Sequence, residues 1–397
     1  MTFRVLMFLT CVLTGCSPSL KLLRLDGSFV KSSELTNQIQ ILMDSAAVTG
    51  LSVVILNNNE IAYQKAFGYA NLVKEDSLDL NHVFYAASFS KAVFGYLVAQ
   101  LASEKVIDLD RPIQKYLDTP IPEIPFDREW KGYQDLKADL RYEQITARMC
   151  LSHTTGLPNW RWLTKEADFD RNGKLHFFFD PGTRYSYSGE GIKLLQFVIE
   201  EITGQGLEDL ARQRIFEPLG MKMTSYLWQD RFEDHFCYGH HSDQNVVPKD
   251  KEDEANAAGS METTIVDYAK FVSAMLRSYN DHSPITQLLF EQQVRITSKH
   301  QFGAKAWVDV EDNDDIELSY GLGWGLLNSP HGPGMFKEGH GDGFQHYSII
   351  FPNKEIGVIL MSNSDNAESI FKALLEITIR DVYTPWQWER YVPFDLK

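Results

Sequence analysis

The chain has 397 residues, 44% of them hydrophobic, and 38 basic against 54 acidic side chains leave a formal charge of −16. That length and apolar content are enough for one large core or two smaller ones and exclude a largely disordered chain. The acidic excess, with no basic stripe, excludes nucleic acid as an expected partner.

At the start, Arg4 precedes an apolar run over 5–13 that is too short to span a bilayer, followed by Thr14-Gly15-Cys16-Ser17. This resembles a bacterial lipoprotein signal. It implies a signal peptide over 1–15, lipidation of Cys16, and a mature protein anchored in the cell envelope, facing the periplasm or the exterior. An ordinary secretory signal cut nearby is the alternative. Residues 16–32 then read as a tether. Two cysteines remain, Cys150 and Cys237, too few for a disulfide framework, and their pairing is left open.

Residues 33–47 have helical spacing with a polar start. A β-branched run over 50–56, the turn residues Asn57-Asn58-Asn59 and a second run over 61–67 predict a hairpin. The next helix carries the strongest signal in the chain. Between Lys91 and Glu104 there is no other charged side chain, and Phe89, Val93, Phe94, Leu97, Val98 and Leu101 cover much of its circumference, so it should be buried. Ser88 stands three residues before Lys91, on the same face. An unpaired ammonium in such a place tends to lose its proton, which would make Lys91 a proton acceptor for a Ser88 nucleophile. Two other Ser-x-x-Lys spacings, at Ser28 and Ser369, do not open a buried helix.

Pro112 should open the following helix, 120–137 should be a surface loop, and 142–151 should be helical up to Ser152-His153-Thr154-Thr155-Gly156. A Pro181-Gly182 turn leads through Tyr185-Ser186-Tyr187-Ser188-Gly189 into helices over 192–202 and 207–219. The charge runs 249–254 and 309–317 read as solvated loops. His240-His241 with Asp243 is the only metal-like cluster, and it too reads as a solvated loop, so no metal or cofactor is expected. A helix over 265–277 follows a small-residue loop. Strands over 344–351 and 356–362, joined by Pro352-Asn353-Lys354-Glu355, and a helix over 367–382 close the chain.

This order predicts an α/β fold with an antiparallel sheet built from both chain ends (33–85 and 318–397), flanked by helices, and an inserted, mainly helical region (86–317). The whole would be one catalytic domain.

Three short motifs, in this order, carry a family resemblance: Ser88-Phe89-Ser90-Lys91, Tyr187-Ser188-Gly189 and Lys337-Glu338-Gly339. They are similar to the S-x-x-K, Y-x-N and K-T-G (or H-x-G) elements of the serine β-lactamase and penicillin-binding protein superfamily, in its class C-related branch. Leu151 to Leu157, Pro181-Gly182-Thr183 and Tyr320-Gly321-Leu322-Gly323-Trp324 match that branch as well. The resemblance implies a β-lactamase/DD-peptidase-like fold and an acyl-enzyme on Ser88. Lys91 and Tyr187 would move the proton, Lys337 would assist, and the backbone N–H groups of Ser88 and His340 would hold the oxyanion. Gly189, Glu338 and Gly339 would border a small-molecule or peptide substrate.

Two registers compete for the third motif. Lys337 is preferred because it keeps Gly339 and aligns Gly343-Phe344 and Tyr347; His340-Gly341-Asp342 lacks the final glycine. Gly189 in place of Asn and Glu338 in place of Thr weaken a β-lactam-specific reading, so amide, lactam and ester substrates all stay open. A tethered protein that binds its ligand without turnover is the alternative to an enzyme. His153 should be a buried hydrogen-bonding residue, not a base.

Overall fold

The computed structural model describes residues 20–396. Cys16 and the signal peptide lie outside them. Among the described residues no helix is long and apolar enough to cross a membrane.

The chain ends meet in one sheet. Gly50–Asn57 pairs antiparallel with Ile356–Ser362, from Ile356 opposite Asn57 to Ser362 opposite Leu51. Nine strands run across it in the order 294–295, 319–320, 325–329, 332–341, 344–351, 356–362, 50–57, 60–71 and 76–77, all antiparallel. The two central strands are buried on both faces, which is why they read as nearly unbroken apolar runs. Their side chains alternate between two cores. Val54, Leu56, Ile359 and Met361 enter the core shared with the helical region. Leu51, Val53, Ile55, Val358 and Leu360 enter the core under the helices Ser32–Ala46 and Glu368–Ile379.

The helix Phe89–Ser103 is buried on nearly every side, as its composition demands. Two glycines allow it to lie against the 320–324 turn. A Cβ on Gly95 would stand 2.6 Å from the Leu322 carbonyl oxygen, and one on Gly323 would stand 2.9 Å from that of Lys91.

Several expectations need correction. The expected tether is structured in its described part. Lys21–Leu23 and Phe29–Lys31 form a hairpin whose Leu22, Leu25 and Val30 enter the outer core, closed by a turn at Asp26-Gly27. The 120–137 loop is a series of single turns that buries Ile121, Tyr133 and Leu136. The helix expected over 142–151 breaks at Ile145 and Thr146, because the Thr146 hydroxyl accepts the Met149 N–H and starts a separate helix, Ala147–Leu151. The segment 207–219 stays helical but widens to a π turn over Arg212–Phe216, just before Pro218, which has no N–H to give Arg214. Lys249, placed in a solvated run, is instead buried in an ion pair with Glu262. Cys150 and Cys237 are separate buried thiols.

Candidate active site

Ser88 sits where the strand Val83–Tyr85 turns sharply into the buried helix. Ala87, just before it, takes the left-handed conformation at φ 47°. The turn is tied from within: Ser90 Oγ donates to the Ala87 carbonyl at 2.6 Å and accepts the Met261 N–H at 3.1 Å. Ser90 is thereby committed to structure. Ser88 is half-buried and faces a cleft of about 410 Å³.

Lys91 Nζ lies 3.0 Å from Ser88 Oγ and 2.5 Å from the Ala258 carbonyl oxygen. That carbonyl comes from the small-residue loop before the helix Ile265–Asn280, to which the sequence reading gave no role in the site. Burial, followed by the charge of Lys337, drives the Lys91 pKa well below the ordinary lysine value. Once neutral, the amine can donate to Ala258 and turn its lone pair toward the Ser88 hydroxyl.

Tyr187 precedes the helix Gly189–Thr203, whose first turn is capped by Ser188 Oγ accepting the Gly191 N–H at 3.0 Å. Both lysines lie near its ring: Lys91 Nζ is 4.9 Å and Lys337 Nζ 5.0 Å from the centroid. Lys337 Nζ donates to the Tyr187 hydroxyl at 3.2 Å. Burial raises the phenol pKa, and Lys337 and the hydrogen bonds to Ser88 and Lys337 offset this only in part. Tyr187 therefore stays protonated at neutral pH. Burial disfavours the Lys337 cation, but Glu338 and Tyr187 outweigh it and raise its pKa.

The third motif lies on the strand Gly332–Gly341. Its neighbour Gly325–Ser329 pairs only as far as Phe336, so residues 337–341 run on past it, toward the Ser88 turn. The fit is close: a Cβ on Gly339 would stand 3.0 Å from the Ala86 carbonyl oxygen, so a side chain there would crowd the turn. Gly339 thus packs against the turn rather than presenting a group to the cleft. Lys337, fully buried, reaches Tyr187, while the His340 ring is exposed and sits 3.4 Å from Glu368. Of the two registers, only Lys337 puts a cation on Tyr187. Glu338 does face the cleft, with Oε1 held by Lys337 at 3.1 Å and Gln301 Nε2 at 2.9 Å.

His153 is buried, with its ring 4.2 Å from that of Tyr187. Its Nδ1 accepts the Ser188 N–H at 3.2 Å, and burial followed by the two lysines holds its pKa well down. A neutral ring that positions Tyr187 agrees with the sequence expectation. His240 is likewise committed, with Nε2 accepting the Leu72 N–H and Nδ1 on the Asn363 carbonyl; it does not join Asp243.

Sequence reasoning missed the far wall of the cleft. Gly189 has no room for a side chain, since its Cβ would stand 2.6 Å from the Asn159 carbonyl oxygen. Asn159 lines the cleft there, and its Oδ1 accepts the Gly189 N–H at 3.1 Å. A backbone N–H only donates, so the orientation of this amide is fixed and its Nδ2 is left for a ligand. Glu389 and Arg390 arrive on the C-terminal segment, which is held down by buried Trp388, whose Nε1 donates to Ser298 Oγ at 3.1 Å.

A sheet between two layers of helices, with a Ser-Lys pair and a tyrosine gathered at one edge, defines the β-lactamase/DD-peptidase class of fold. The Beta-lactamase family model matches residues 35–377, and the chain belongs to that family, one of serine hydrolases. It is 25% identical over 355 residues to a penicillin-binding protein of Bacillus subtilis, covering 82% of this chain and 70% of that one. To an unguisins hydrolase of Aspergillus violaceofuscus it is 23% identical over 380 residues, covering 88% of this chain and 63% of the relative. In fold it resembles an octameric penicillin-binding protein homologue of Pyrococcus abyssi (TM-score 0.67, 19% identity, 90% of this chain and 80% of that one). It also resembles a D-alanine carboxypeptidase of Burkholderia cenocepacia (TM-score 0.64, 18% identity, 86% and 97%).

Proposed function

We propose that this protein is a serine acyl hydrolase that forms an acyl-enzyme on Ser88 with an ester, amide or lactam substrate. The observation that carries the reading is Lys91 Nζ, fully buried and depressed in pKa, 3.0 Å from Ser88 Oγ. In the acylation step Lys91 takes the Ser88 proton as Oγ bonds to the substrate carbonyl carbon. The carbonyl oxygen becomes an oxyanion, held by the backbone N–H groups of Ser88 and His340. When the tetrahedral adduct collapses, the bond to the leaving group breaks, and the proton passes from Lys91 through the Tyr187 hydroxyl to the departing atom. In the second half a water molecule gives its proton back along the same path as its oxygen bonds to the acyl carbon. The second tetrahedral adduct then collapses: the bond from Ser88 Oγ to that carbon breaks, Oγ takes the proton from Lys91, and the acid product leaves. Lys337 keeps Tyr187 oriented and steadies the negative charge that passes through it.

The names of the relatives, a penicillin-binding protein and an unguisins hydrolase, agree with acyl transfer without choosing a substrate. Glu338 in the cleft disfavours substrates that place a carboxylate beside Lys337. A fluorescent phosphonate should label the wild type at Ser88 and leave Ser88→Ala unlabelled, and a panel of p-nitrophenyl ester, penicillin and D-Ala-D-Ala peptide should lose all turnover in that variant. A wild type that is neither labelled nor active on any of these is a binding protein instead. Export with lipidation at Cys16 is part of the same proposal, supported by the Leu13-Thr14-Gly15-Cys16 box. Cys16→Ser should then move the protein from the membrane fraction to the soluble one.

A further inference from the structure

The cleft beside Ser88 holds more carboxyl groups than acyl transfer calls for. Glu338 is 2% exposed; its Oε1 is used by Lys337 and Gln301, but its Oε2 is buried with no hydrogen-bond partner among the described residues. Glu389 lines the same cleft, and its Oε1 is in the same condition. Glu368 borders it as a third. The cations nearby are largely committed: Lys337 serves Glu338 and Tyr187, and His340 faces Glu368. Arg390 stands exposed at the rim.

A buried acceptor without a donor has lost its water and gained nothing in exchange. Two of them, on different segments of one cleft, mark where a ligand's donors belong. A metal ion is a poor match, because it needs several ligand atoms converging on one point. Among the described residues, the only three such side chains with ligand atoms within 4.8 Å of one another are His241, Asp342 and Asp365, none of which lines this cleft. An ammonium group differs. Its three N–H donors point in separate directions and can serve two acceptors carried on different segments.

We propose that the cleft selects acyl substrates bearing a primary ammonium group, which donates to Glu338 Oε2 and Glu389 Oε1 while the scissile carbonyl lies at Ser88. The proposal rests on the serine-hydrolase reading for its reaction and on the two unpartnered oxygens for its selectivity. The ammonium also relieves the repulsion among the carboxyls. Burial and then the charges of Glu338 and Glu368 hold the Glu389 carboxyl above its ordinary range, and a cation beside it works in the opposite direction. A carboxylate-bearing substrate meets the opposite field.

The test separates binding from turnover. On Ser88→Ala, calorimetry compares L- and D-alanine benzylamide with N-acetylalanine benzylamide and with succinic acid monobenzylamide; on the wild type, the corresponding benzyl esters are compared by benzyl alcohol release. The ammonium compounds are expected to bind and to react about 10- to 100-fold better than the N-acetyl ones, with the succinyl compounds weakest. Glu389→Gln should shrink the ammonium to N-acetyl ratio about tenfold, and the wild-type ratios decide the matter even if that variant does not fold. Equal binding of all three amides, no binding of any, or preference for the succinyl compound through Arg390 overturns the proposal. Selective ammonium binding by Ser88→Ala with no ester turned over by the wild type would keep the cation seat and remove the hydrolase reading. Indiscriminate turnover with indiscriminate binding would do the reverse.

Discussion

The two walls of the cleft are built on different principles. The inner wall, Ser88, Lys91, Tyr187 and Lys337, is made of core elements: a helix buried on nearly all sides, a helix N-terminus capped by Ser188, and a strand lodged against the Ser88 turn. The far wall, Asn159, Gln301, Glu389 and Arg390, comes from loops and the C-terminal segment. The first sets which reaction can be run, because it fixes proton positions in a dry environment. The second faces the part of the substrate that does not react. Substitutions on the inner wall should therefore strike rate, and those on the far wall should strike substrate preference.

The largest effect expected is on that inner wall. Ser88→Ala should lower kcat/KM for any accepted ester by about 10⁴-fold or more while the melting curve stays near wild type, since Ser88 is a small half-buried residue. Tyr187→Phe should cost about 10²- to 10⁴-fold in kcat with little change in KM, measured with the same substrate, because it removes the hydroxyl through which the proton passes in both half-reactions.

Stability tells the walls apart in another way. Arg161 and Glu190 form a buried pair at 3.0 Å beside Gly189, and Arg161 Nη1 also holds the Gly132 carbonyl at 2.9 Å. Arg161→Ala leaves the buried Glu190 with Lys193 as its remaining cation and should destabilise the fold by about 3–5 kcal/mol in urea titration.

Lys91 gives a pH signature. Its folded pKa lies below its unfolded one, so between the two the unfolded chain binds the extra proton and wild-type stability rises with pH up to the ordinary lysine range. Relative to Lys91→Met, the wild type should gain as much as about 1.4 kcal/mol per pH unit across that window. The acid limb of kcat/KM should fall in the same window, well below pH 10. A flat stability difference between pH 7 and 10 would place a charged lysine next to Ser88. Smallest is the far wall: Asn159→Ala should raise KM by about tenfold, with kcat nearly kept, for substrates with an amide near the scissile bond.

The inner wall was legible because its residues obey local rules. A serine and a lysine three apart at the head of an unbroken apolar run, and strands that read as pure hydrophobe, declare both their geometry and their burial. The hairpin over 50–71 and the strands 344–351 and 356–362 were placed within a few residues for the same reason. The N-terminal hairpin was missed because two three-residue strands leave almost no periodic signal, and Leu22, Leu25 and Val30 acquire meaning only against the helices above the sheet.

From the chain alone came the family, the sheet built from both ends, and the Ser88, Lys91, Tyr187 and Lys337 set, all of which depend on spacing within short segments. What tertiary structure decided was the state of those groups and the identity of their neighbours. Lys337 does pull the Tyr187 pKa down, but burial in the assembled core wins and keeps the phenol protonated. Asn159, brought against Gly189 from 30 residues away, and Glu389, carried in beyond the last helix, carry no motif. Desolvation and long-range contact are properties of the packed molecule, and no local pattern of residues encodes them.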